Sequence, residues 1–135
     1  MRPPTLAALA QARNDSASPL APMLCEFLDE FYGALRNGED GAALIAEEPA
    51  PLASHNEHAL LGAIGEHLAR RWALAIPPWT NDPSRFLSRP YFTSPIEGLK
   101  ALMIAESPLA FRRRLIFTEA EPLRRARIPE PRAPS

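Results

Sequence analysis

Ser94-Pro95-Ile96-Glu97-Gly98-Leu99-Lys100-Ala101-Leu102-Met103-Ile104-Ala105-Glu106-Ser107-Pro108 is the stretch on which the reading of this 135-residue chain turns. Ser94 followed by Glu97 has the spacing of a capping box, and Pro95 falls at the first helical position, where a missing N–H costs nothing. Leu99, Leu102 and Met103 continue at helical spacing, while Ile96 and Ile104 widen the apolar stripe until little of the helix looks solvent-facing. Such a helix is expected in a core, with Trp79, Tyr91 and Phe92 as lids over it. Glu106 stands at its C-terminal end, where the helix dipole disfavours a carboxylate. An ion pair between Glu106 and an arginine of the following Arg112-Arg113-Arg114 run is therefore expected.

Working outward, capping and breaker signals divide the chain into short helices. Thr5 to Arg13 has a helical pattern inside an otherwise polar, Pro-bounded region, so residues 1–20 read as an N-terminal arm. Met23, Leu24, Phe27, Leu28, Phe31 and Leu35 follow helical spacing, and Asn37-Gly38 supplies a stop. Asp40 can cap a short helix through Ile45 that ends before Pro49 and Pro51. Ser54 and Glu57 form a second capping box, opening what should be the longest helix, through Leu60, Leu61, Ile64, Leu68 and Trp72. Asp82-Pro83 reads as a cap for one or two turns, Ser107-Pro108 as another for Leu109 to Leu115, and Thr118 with Glu121 as a third box for a last helix to about Arg127. Only Arg114 to Phe117 hints at extended structure. The expected fold is all-α: a compact bundle of about five to six short helices over residues 21–127, with flexible Pro-rich termini and a disordered tail at 128–135.

Composition narrows the function. The length suits one domain, and the single Cys25 excludes an internal disulfide and fits a reducing cytoplasm. No apolar run is long enough to span a membrane, and the N-terminus lacks signal-peptide character. The formal net charge is −1, but the distribution is lopsided. Residues 1–50 hold three arginines against eight acids, and residues 110–135 hold seven arginines against three acids. His58 and His67 are nine apart and cannot share a metal on one helix, so no metal site is expected, and Glu57-His58 and Glu66-His67 read as solvated polar faces. No nucleophile elbow and no Gly-rich phosphate loop occurs, so neither a cofactor nor an enzyme is expected. Glu97, Glu106 and Arg113 form the one polar constellation an enzyme could use.

The Arg-rich region is the candidate for contact with something else. Arg112, Arg113 and Arg114 beside Phe111 and Phe117, extended by Arg124, Arg125 and Arg127, could meet phosphate backbones. The favoured reading is structural: one of Arg112, Arg113 and Arg114 pairs with Glu106 and another with Glu119 or Glu121, leaving a single exposed charge. Trp79 and Tyr91 complete the set of candidate binding residues. A near-neutral chain with an acidic first half opposes nonspecific binding to DNA.

Trp79-Thr80-Asn81-Asp82-Pro83, Arg85-Phe86-Leu87, Arg89-Pro90-Tyr91-Phe92 and Glu106-Ser107-Pro108-Leu109-Ala110-Phe111-Arg112-Arg113-Arg114 resemble a pattern in uncharacterised bacterial proteins. Some of those carry it behind an Xre-like helix-turn-helix and look like antitoxins or regulators. The resemblance covers about residues 56–127 and implies no catalytic residues. The first fifty residues here lack a clear helix-turn-helix, so what the resemblance implies is binding to a partner protein; the location expected from the composition is cytoplasmic, and self-association is also open. Nucleic-acid binding through the Arg-rich region is the alternative.

Overall fold

The computed structural model describes residues 3–127 and residue 129. Its elements are α1 (Leu6–Asp15), α2 (Leu20–Arg36), α3 (Ala42–Ile45), α4 (His55–Arg71), β1 (Tyr91–Phe92), α5 (Lys100–Glu106), α6 (Leu109–Arg112) and β2 (Ile116–Phe117), with 3-10 turns at Pro78–Asn81, Pro83–Arg85 and Glu97–Leu99. The fold is helical, as the sequence predicts. β1 and β2 form a parallel pair in which Tyr91 faces Ile116 and Phe92 faces Phe117, with the two phenyl rings stacked at 5.2 Å.

The caps expected at Ser54 and Asp82 form, and Thr5 supplies a third, while Ser107 does not cap α6 and its hydroxyl donates to Met103 O instead. Thr5 Oγ1 accepts the Ala8 amide at 3.0 Å, Ser54 Oγ accepts the Glu57 amide at 3.2 Å, and Asp82 Oδ1 accepts the Ser84 amide at 2.9 Å. Each satisfies a donor that a helix start leaves without an internal acceptor. Gly38, at φ +76°, provides the left-handed residue that turns the chain after α2. The segment expected as an arm is packed instead: Leu6, Leu9 and Ala10 of α1 are fully buried, and Arg13 pairs with Glu57 at the start of α4 at 3.0 Å.

The helix at the centre is α4, not the Ser94–Pro108 stretch. It ties α2 for length at 17 residues, and it buries His58, Ala59, Leu61, Gly62, Ala63, Ile64, Gly65, Glu66, Leu68 and Ala69, which cover every face of its middle turns. Its glycines are where neighbours come close. A Cβ on Gly65 would stand 2.9 Å from the Trp79 ring, and one on Gly62 would stand 3.0 Å from Arg85 Cβ and 3.1 Å from Arg114 Nε. Phe27, Phe31 and Tyr32 of α2 are buried with Trp72, the C-cap of α4, whose ring lies 5.2 Å from Tyr32.

Two expected helix starts do not form. Ile96 is extended, at φ −72° and ψ 113°, and Ser94 Oγ accepts the Ile96 amide in a local turn instead of capping at Glu97. With Gly98 adding its helix cost of ~1 kcal/mol, regular α-helix begins only at Lys100. Of α5, Met103 alone is buried. The helix expected from Thr118 to Arg127 is absent because Pro122 falls on the first position whose N–H a helix would need, and it pushes Glu121 out of helical backbone. The segment runs as turns, held by Ser107 Oγ on the Thr118 amide at 2.8 Å and by the Tyr32 hydroxyl donating to Leu123 O at 2.7 Å. The helix expected through Leu115 stops at Arg112, and Leu115 adopts φ +63° as the chain reverses into β2. The tail expected to be disordered falls largely outside the described residues.

Two substitutions test this packing. Gly65→Ala should destabilise the protein by about 1–2 kcal/mol in chemical denaturation, because overpacking against Trp79 outweighs alanine's better helix propensity. Ala73 is exposed and closes α4 at φ +54°, with the Leu74 amide donating to Ala69 O at 2.8 Å. Ala73→Gly should therefore stabilise by about 0.5–1 kcal/mol, since glycine takes the left-handed conformation without a Cβ penalty.

Candidate functional site

The Arg-rich segment meets α4 at a buried carboxylate. Glu66 is fully buried, and its Oε1 accepts Arg114 Nη1 at 2.7 Å while Oε2 accepts Arg70 Nε at 2.7 Å and Arg113 Nη1 at 3.1 Å. Arg114, itself fully buried, also donates to Ala110 O at 2.8 Å and Thr80 O at 2.5 Å. Beside it Arg85, 1% exposed, donates to His58 O at 3.0 Å and Pro49 O at 2.8 Å. Its guanidinium lies 4.9 Å from the Trp79 ring centre, and that of Arg114 lies 4.5 Å from Phe86. Burial alone would raise the Glu66 carboxyl, but hydrogen bonds from Arg114 and Arg70 and the charges of Arg114 and Arg113 outweigh it and hold it below its ordinary value.

The sequence-predicted binding residues are thus mostly occupied within the fold. Arg114 is interior, and Arg113 is bound to Glu66. Arg112 donates to Ala105 O at 3.2 Å and Ser107 O at 2.9 Å. Arg125 grips Asp29 with two prongs, at 2.9 and 3.0 Å. Arg124 alone of the five is exposed with its side chain unpartnered among the described residues. Trp79 is buried, its indole N–H donating to Ile45 O at 3.0 Å, and Tyr91 is half-buried in β1. Trp79 belongs to the packing around α4, and Tyr91 packs against the core from β1.

Glu106, expected to hold an arginine, is exposed and forms no ion pair among the described residues; Glu66 takes that role. The Glu97, Glu106 and Arg113 constellation does not assemble either, since Glu97 pairs with Lys100 at 2.9 Å and Arg113 with Glu66. Glu66-His67 is no solvated face: His67 sets its ring edge against Phe111 at 5.5 Å, and burial, then the charge of Arg71, pushes its pKa down to about 4. Sequence reasoning missed Glu66 and Arg85. The usable signal was Gly62 and Gly65, which precede Glu66 on α4 and let Arg85, Arg114 and Trp79 approach the helix closely.

The second feature is apolar. Among the described residues, five of the six exposed large hydrophobic side chains are Ile96, Leu99, Leu102, Ile104 and Leu109, so the surplus is local to α5 and its flanks. Leu102 and Ile104 are 52% and 50% exposed, and Ala101 and Ala105 between and beside them are exposed as well. No charge interrupts the outer side of α5 from Ala101 to Ala105. Under the helix, α5 stands off the core and leaves an open cavity of about 520 Å³. Its apolar lining comes from Leu60 of α4, Leu99, Leu102 and Met103 in and beside α5, Phe111 of α6, and Leu123.

No family model, curated protein or solved structure matches this chain. No group of His, Cys, Asp and Glu among the described residues could hold a metal ion. No described helix is long and apolar enough to cross a membrane.

Replacing Glu66 with Leu should cost about 3–5 kcal/mol, because the Arg114 guanidinium is then buried without its counter-charge. Arg70→Ala, at a half-exposed partner, should cost under about 1 kcal/mol in the same denaturation assay. Acid should destabilise the fold in two stages. The unfolded chain takes up the His67 proton near 6.5 while the folded protein resists until about 4, so that contribution is complete above pH 6.5 and is lost as pH falls toward 4. Glu66, held below 4.5 in the fold, adds a further loss as its carboxylate is protonated at lower pH. Thermal unfolding of His67→Gln across about pH 2–7 should show the first stage reduced, leaving the share of His58, whose pKa burial also lowers, and the second kept.

Proposed function

We propose that this chain is a non-catalytic protein-interaction module that binds a partner protein through the apolar surface of α5 and its flanks. The carrying observation is that Ile96, Leu99, Leu102, Ile104 and Leu109 are exposed together within one short segment. Scattered apolar side chains on a surface need no explanation, but a concentration of this kind is a signature of an interaction site. The cavity beside it can accept an anchoring side chain, the arrangement in which interfaces concentrate their binding energy. In line with the resemblance of its Arg-rich strings, the module would be antitoxin-like or regulatory and would work in the cytoplasm of a bacterium. A protein partner is preferred to nucleic acid because Arg112, Arg113, Arg114 and Arg125 already spend donors inside the molecule, leaving little of the patch to neutralise phosphates.

The test is capture from host lysate, with nuclease, by tagged wild-type chain and by Leu102→Asp/Ile104→Asp. Both side chains are half exposed, so the variant should unfold within ~0.5 kcal/mol per substitution of wild type yet lose a partner that wild type retains at near-stoichiometric amount. Equal recovery by both chains, or recovery abolished by nuclease, contradicts the proposal.

A further inference from the structure

The cavity under α5 is apolar but not electrically neutral. Leu102 and Met103 of α5 line it and stand four and three residues before Glu106, so Glu106 lies at the C-terminal end of that side of the helix, just beyond the lining. Glu119 lines the cavity from the opposite segment, and no lysine or arginine does. Neither carboxylate has an ion-pair partner among the described residues. The cations nearest in sequence are engaged elsewhere: Lys100 with Glu97 at 2.9 Å and over the Phe92 ring at 5.2 Å, and Arg112 on the backbone oxygens of Ala105 and Ser107. Thr118 lines the same cavity.

We infer that the groove takes a basic amphipathic helix of the partner protein, its apolar stripe against Leu99, Leu102 and Leu123 and its lysines or arginines against Glu106 and Glu119. This rests on the proposed interaction function and names the chemistry of the partner at that surface. A helix suits the groove because its backbone hydrogen bonds are internal, and what the groove offers is side chains. Strand addition has little to extend, since β1 and β2 are two residues each. The positive charge follows from complementarity: an unpaired carboxylate lining an apolar groove, Glu119, with a second, Glu106, at the end of α5 beside it, favours a cationic occupant and rejects an anionic one. A second copy of the chain fits less well, because the exposed Arg124 and Arg127 lie outside any helix and so on no apolar helix face.

The direct test is a fluorescence-anisotropy titration of the full chain with two synthetic helical peptides that share a leucine stripe at positions i, i+3, i+4 and i+7. One carries lysine at its polar positions and the other glutamate. The lysine peptide should bind with 1:1 stoichiometry and at least about tenfold more tightly than the glutamate peptide. Leu102→Asp should abolish that binding, and Glu106→Gln/Glu119→Gln should weaken it about tenfold with the thermal unfolding midpoint unchanged. Glu119→Lys serves as a second charge variant and should weaken binding further. Equal affinity for the two peptides, no binding of the lysine peptide to wild type, or a dimer by light scattering that Leu102→Asp dissolves would each overturn the inference. If host-partner capture depends on Leu102 and Ile104 while the peptides are not told apart by charge, the interaction function stands and this inference falls. If capture is indifferent to both residues, the function falls first.

Discussion

One carboxylate ties the C-terminal third of this protein to its central helix. Glu66 lies fully buried among Arg114, Arg113 and Arg70, and a buried charge is tolerable only when paired and hydrogen-bonded. That requirement sets much of the surrounding structure. Arg114 can reach Glu66 only because α6 ends at Arg112 and the chain turns sharply through Leu115. The same arginine holds the carbonyls of Thr80 and Ala110, fastening the turn at Pro78–Asn81 and the last helix to α4. Gly62 and Gly65 are the steric counterpart of this charge requirement, since a Cβ at either would meet Arg85, Arg114 or Trp79 at about 3 Å.

With the interior occupied in this way, α5 has no place in it. The core beneath is already filled by α2, α4 and the aromatic residues between them, so α5 contributes Met103 and leaves its other apolar residues outside. The two features are therefore connected. The arginines that look from the sequence like a binding patch are consumed in building the core, and the helix that looks like the core is what the fold presents outward. An apolar helix in that position exposes surface that association with another molecule would cover.

Local signals in the sequence were legible. Ser54 and Asp82 cap the elements they should, and the 3.6-residue period from Met23 to Leu35 marks α2, because both depend on neighbours within one or two turns. The misplaced readings share a different cause. The Glu66–Arg114 pair spans 48 positions, so no window of sequence contains both partners. α4 is rich in Ala and Gly, whose burial comes from close approach and not from hydrophobicity, so its centrality was hidden behind the more apolar Ser94–Pro108. A short helix apolar on all sides fits a core or a docking surface equally well, and only the packing of the rest decides which. At Thr118 a single proline, Pro122, overrode a correct capping pattern.

The central claim is that α4 is the organising core and that α5 is an outward helix held by little more than Met103. Native-state hydrogen exchange on the full chain reads both at once. The account requires the amides of Leu61 to Leu68 to exchange only through global unfolding, while those at the end of α5, near Ala105 and Glu106, exchange orders of magnitude faster through local opening. Protection in α5 equal to that in α4 would make α5 a core helix after all and would remove the exposed surface on which the proposed function rests.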